Sequence, residues 1–139
     1  MGLVLLAGCA NKDVDVAPEC LEGPATVRAA LAEAPDDVRL GGRVAISDCF
    51  QAAAAPADVQ NVGSTLVDTA EDLKREVRRA PHSEAAVQLG YLIGAVHRGA
   101  GTDVGIHYEA RRRVEQELTG VRTDTEEFKR GLAAGERNG

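Results

Sequence analysis

Apolar positions recur along most of this chain at spacings of three and four, the period of an amphipathic α-helix. The pattern is clearest from Ala57 to Arg79, where Val59, Val62, Leu66, Ala70, Leu73 and Val77 form one stripe. Pro56 opens this segment and Pro81 ends it, while Glu71-Asp72 precede Lys74-Arg75 and Arg78-Arg79. Acids ahead of bases suit both the helix dipole and an i,i+4 pair of Glu71 with Arg75. From Glu84 to Arg98 the sequence is apolar nearly all round, the mark of a buried central helix, with Ser83 as its expected N-cap. Gly90 and Gly94 lie four apart on one face there and would let a neighbouring backbone come close.

Shorter helices are expected around these two. One starts at Pro24, with Val27, Leu31 and Ala34 on a face, and stops before Pro35-Asp36-Asp37. A second covers Arg43 to Ala54, although Val44-Ala45-Ile46 also reads as a brief strand. Ile106 to Leu118 carries Ile106, Ala110, Val114 and Leu118 on one stripe, with Glu109–Arg113, Arg111–Glu115 and Arg113–Glu117 paired outside. A last helix starts near Thr123 in a capping box with Glu126 and docks through Phe128 and Leu132, fraying from Gly135. No solenoid-length repeat appears. The expected fold is all-α, a compact single-domain helical bundle of about five or six helices with an N-terminal tether. Its helical domain spans 23–135 and its disordered tail 136–139.

Composition shapes that core. With two Phe, two Tyr and no Trp in 139 residues, it must be built from Ala, Val, Leu and Ile. The net charge of −6 argues against nucleic acid as a partner, since phosphate neutralisation needs basic surfaces. Between Lys12 and Arg39 seven acids stand against three bases, a local net of −4. Arg75, Arg78, Arg79, Arg111, Arg112 and Arg113 form a candidate basic patch opposite that acidic segment, suited to an anionic surface or an acidic partner. The longest apolar stretch, Ala85 to Val96, contains Gln88 and falls short of the ~20 residues a membrane-spanning helix needs.

Catalytic chemistry finds little support. Ser47, Ser64 and Ser83 lie in helical patterns or at a cap, without a G-x-S-x-G elbow. The Gly99–Gly105 stretch lacks a G-K-[ST] ending. His97 and His107 flank that stretch, so a turn could join them with Tyr91 in a candidate ligand pocket. Ten residues apart, they match no metal motif, and the more ordinary reading places His97 at a helix C-terminus and His107 at a helix start. The chain is read as a non-enzyme, with no cofactor and no metal.

The first nine residues carry a different signal. Leu6-Ala7-Gly8-Cys9 closes an apolar run and gives way at once to polar residues. This resembles the lipobox of bacterial lipoproteins, with small residues before the modified cysteine. The apolar run is short and no basic residue precedes it, so residues 1–8 are read as part of a longer signal peptide. The resemblance implies diacylglycerol on Cys9, a flexible tether over 9–22, and anchoring at the outer face of the cytoplasmic membrane. In a two-membrane bacterium, Ala10 after the cysteine implies the outer membrane. Export to an oxidising compartment would then leave Cys20 and Cys49 as a disulfide, the alternative being two unpaired thiols.

The function expected on this reading is a lipid-anchored cell-envelope protein, non-catalytic, that binds or positions another envelope component. Two other readings stay open. One is a carrier of a small ligand or metal near His97 and His107. The other is a cytoplasmic helical interaction protein without lipid, whose leading apolar residues belong to the core.

Overall fold

The computed structural model describes residues 15–101 and 105–139 and is all-α. A 3₁₀ turn at Pro18–Leu21 leads into α1 (Pro24–Leu31), α2 (Ile46–Ala52), α3 (Pro56–Arg79), α4 (Glu84–Ala100), α5 (Ile106–Gln116) and α6 (Glu126–Asn138). Among the described residues the extended pairing amounts to one bridge, Leu40 with Val44. That bridge closes a turn through Gly41 and Gly42, both in the left-handed region (φ 55° and 73°), where a Cβ is disfavoured. It also takes Val44 out of the expected second helix, which begins two residues later.

α4 is the centre of the molecule. It is buried on all sides from Ala85 to Val96, apart from half-buried Gln88, and packs against α2, α3, α5 and α6. α3 buries its expected stripe against the core, Val59, Val62, Leu66, Ala70, Leu73 and Val77. α5 runs parallel to α3, with Gly63 opposite Ala110 and Lys74 reaching Glu117 at 3.2 Å. α6 runs parallel to α4, because Val87, Tyr91 and Ala95 meet Gly131, Gly135 and Gly139 in the same order.

The α4–α6 contact is a seam of glycines from both helices. A Cβ at Gly90 would overlap the Phe128 carbonyl, and one at Gly94 the Leu132 carbonyl. Conversely, a Cβ at Gly131 or Gly135 would overlap the Val87 or Tyr91 carbonyl. Each helix therefore lays its bare backbone against the other, closer than side-chain-bearing helices pack. The spacing of Gly90 and Gly94 marks one half of this seam in the sequence.

Three further boundaries depart from expectation. α6 continues to Asn138, and Gly139 is buried against Ala95 with its carbonyl accepting the Ser47 N–H at 2.7 Å. There is neither fraying from Gly135 nor a disordered tail over 136–139, because packing of the glycine face outweighs poor helix propensity. The cap of α6 is Thr125, not Thr123; its hydroxyl accepts the Phe128 N–H at 3.3 Å. The ordered body also starts before residue 23. Cys20 is buried and bonded to Cys49 with Cα atoms 5.6 Å apart, and Val16 and Ala17 pack against the core. The N-cap of α4 is Ser83, as expected, although its hydroxyl is buried and unpartnered instead of capping the helix.

Two ends of the bundle can be distinguished. α2 lies at one, where its Ser47 and Phe50 meet Gly99 near the end of α4 and its chain runs directly into Pro56. The end of α3, the starts of α4 and α6 and the end of α5 make up the other.

Candidate functional site

The histidine pocket expected from the sequence does not assemble. Tyr91 is wholly buried beside Val38, and its hydroxyl has no hydrogen-bond partner. Burial pushes its pKa up, only partly offset by the nearby Val38 backbone. His97 faces elsewhere, with Nε2 2.7 Å from Glu115 Oε1 and Nδ1 3.4 Å from Glu136 Oε1. Arg111 Nε donates to the same Glu115 oxygen at 2.8 Å. Partial burial alone would raise the Glu115 pKa, but its bonds to Arg111 and His97 outweigh that and leave it lowered. The cluster thereby clasps α4, α5 and α6 together.

His107 has a separate task. Its Nε2 lies 2.8 Å from the Ala53 carbonyl, so that nitrogen carries the proton and donates to the C-cap residue of α2. Its ring tilts against Phe50 at 6.4 Å between centroids. Each histidine is thus engaged on a different element, and sequence proximity across a turn misled. Among the described residues, no three His, Cys, Asp or Glu side chains are placed to hold a metal ion.

The six arginines do not form one patch either. Arg75, Arg78 and Arg79 line a shallow surface at the far end of α3, and Arg75 is paired with Glu71 and Asp72. Arg111, Arg112 and Arg113 are consecutive on α5, so the 100° helical turn per residue sends them three ways. Arg111 joins the His97 cluster, Arg112 is exposed, and Arg113 turns towards α3. The expected outer pair Arg111–Glu115 is present, whereas Glu117 pairs with Lys74 instead of Arg113.

The concave feature that sequence reasoning missed is a groove of about 600 Å³ between α3 and α5. Val59, Gly63, Val67 and Ala110 give it an apolar floor, and Ile106, 44% exposed, stands at one end. Asp68, Glu109 and Arg113 are exposed along its rim, and none of them is in an ion pair among the described residues. Small residues at the helix contact, Gly63 facing Ala110, are the one signal that could have marked it. Such a groove, with an apolar base and polar edges, suits an amphipathic segment of a partner.

Cys20 and Cys49 form the expected disulfide. The lipobox and Cys9 lie outside the described residues, and no helix among the described residues is long and apolar enough to cross a membrane. Comparisons with protein-family models, curated proteins and solved structures return no match.

Proposed function

We propose that this protein is a lipid-anchored, non-catalytic component of a bacterial cell envelope that holds a partner at the membrane surface. The observation that carries the reading is the pairing of cysteines. The chain has three, and the Cys20–Cys49 disulfide takes up two, so Cys9 in the Leu6-Ala7-Gly8-Cys9 motif is the one cysteine outside that bond. Disulfides persist in oxidising compartments and are rare in the cytosol, so the bridge favours export over the cytoplasmic alternative. Two acyl chains on Cys9 would give a stable tether without a protein span. The partner's place is the α3–α5 groove, where Asp68 and Glu109 favour a helix carrying basic residues along its edges. The carrier reading near His97 and His107 loses its basis, since both rings are already engaged.

Metabolic labelling with a palmitate analogue tests the anchor. The wild-type chain is expected to take up label and enter the detergent phase on extraction, and Cys9→Ser to do neither. An unlabelled wild-type protein found wholly in the aqueous phase would overturn the reading. Crosslinking in intact cells tests the groove, with capture of the partner expected to fall in Asp68→Lys/Glu109→Lys.

A further inference from the structure

We infer that the α2 end of the bundle rests on the bilayer and meets it through exposed apolar side chains, while the Arg75–Arg79 end points away. This rests on lipidation at Cys9. Asp15 is the first described residue, only six positions after Cys9, so the backbone between them spans at most about 20 Å. The chain then enters the Pro18–Leu21 turn, and the Cys20–Cys49 bond pins that turn to α2. α3 starts four residues after α2 and runs away for its 24 residues, about 36 Å at 1.5 Å each. The disulfide brings the start of the described chain to α2, and α1 then carries it along α3 as far as the Arg28–Glu76 pair. An anchor on Cys9 therefore tethers the molecule from its α2 side, with Arg79 beyond that pair.

The surface at that end suits the position. The two large apolar side chains that the described structure leaves exposed, Leu21 (45%) and Ile106 (44%), both belong to it. Leu21 adjoins the disulfide, and Ile106 precedes the histidine bound to the Ala53 carbonyl. Between them in sequence, Ala52-Ala53-Ala54-Ala55-Pro56-Ala57 carries no charge, and residues 54 to 57 are exposed. Asp48 and Asp58 flank this stretch, so the contact is apolar insertion at the interface and not attraction to anionic headgroups. The groove begins here, at Pro56 and Ile106, and extends away from the lipid towards Glu117. A partner in it would stand on the membrane.

The test uses the full-length lipidated protein in vesicles of phosphatidylethanolamine and phosphatidylglycerol. Benzoylphenylalanine is placed singly at four exposed positions, 54 and 106 at one end, 79 and 122 at the other. Palmitate labelling of each protein is read separately. Lipid crosslinks several-fold stronger at 54 and 106 than at 79 and 122 are expected. Labelled protein with equal crosslinking at both ends, or more at 79 and 122, overturns the orientation and leaves the anchor standing. Protein without label overturns the anchor and the orientation with it. In Leu21→Gln/Ile106→Gln the crosslinks at 54 are expected to weaken while the label and the helical circular dichroism persist; unchanged crosslinking counts against apolar insertion.

Discussion

Two pairs of parallel helices, α4 with α6 and α3 with α5, both meet through small residues, yet one pair closes and the other stays open. In the first, glycines on both helices alternate across the contact, so backbone meets backbone along the whole of α6. In the second, one glycine faces one alanine, with an ideal Cβ at Gly63 lying 3.4 Å from the Ala110 Cβ. On either side of that point Val59, Val67 and Ile106 line an open groove. Glycine by itself does not close a helix pair. A four-residue repeat on both partners does, because only then can each turn of one helix nest against a turn of the other.

The largest effect expected from this difference is at the seam. Gly135→Val puts a branched side chain where even a Cβ overlaps the Tyr91 carbonyl, and no flexible group can yield. Destabilisation of about 3 kcal/mol or more is expected, at or beyond the upper end of ordinary overpacking costs, seen as a lower urea midpoint and loss of α6 helicity. If Gly135→Val were tolerated with the midpoint unchanged, the seam would not be what binds α6.

The disulfide should come next. Cys20→Ser/Cys49→Ser frees a loop with a sequence separation of 29, and chain entropy puts the loss at about 3–4 kcal/mol. Reduction of the wild type should reproduce it. Both should act at the α2 end and spare the α3–α5 groove, so partner capture per folded molecule is expected to hold.

A smaller effect concerns the clasp at the polar edge of the seam. Glu115 has a lowered pKa in the folded chain, so its contribution is present above the ordinary value of 4.5 and is lost as pH falls through the folded value. Stability should therefore drop in acid below about pH 4.5, and Glu115→Gln should flatten that part of the profile. The group is about a third exposed, so solvent screening limits the difference to about 1 kcal/mol or less. Identical acid profiles for the two proteins would remove Glu115 from the account.

How far the sequence reveals this arrangement differs between the same two regions. α3 and α4 are legible because a repeated apolar spacing is a local property of the chain, whereas the Cys20–Cys49 pairing is legible only through the lipobox resemblance, which sets Cys9 aside. Gly90 and Gly94 announce close packing, but their partner is forty residues away and its glycines read locally as helix breakers. That is why α6 looks as though it should fray at Gly135. The histidines mislead for the same reason: His97 and His107 are neighbours in sequence, while Glu136 and Ala53 are their neighbours in space. The groove is less legible still. A groove is a gap between two helices, and each helix alone shows only an ordinary apolar stripe.

The smallest expected effect is also the sharpest contrast with the seam. Gly63→Ala adds the same methyl group that would collide at each glycine of the α4–α6 seam, but here it meets only the Ala110 methyl, at 3.4 Å. Alanine is favoured over glycine inside a helix by about 0.8–1.0 kcal/mol, and a slight tightening of the contact offsets part of that. Stability unchanged or raised by up to about 1 kcal/mol is expected in urea titration. Gly90→Ala, the same substitution at the seam, should instead destabilise, because its methyl meets the Phe128 carbonyl. Opposite signs for one chemical change would establish that the two helix pairs differ in backbone approach. Equal losses at both positions would mean that α3 and α5 are as tightly closed as α4 and α6, leaving no groove for a partner.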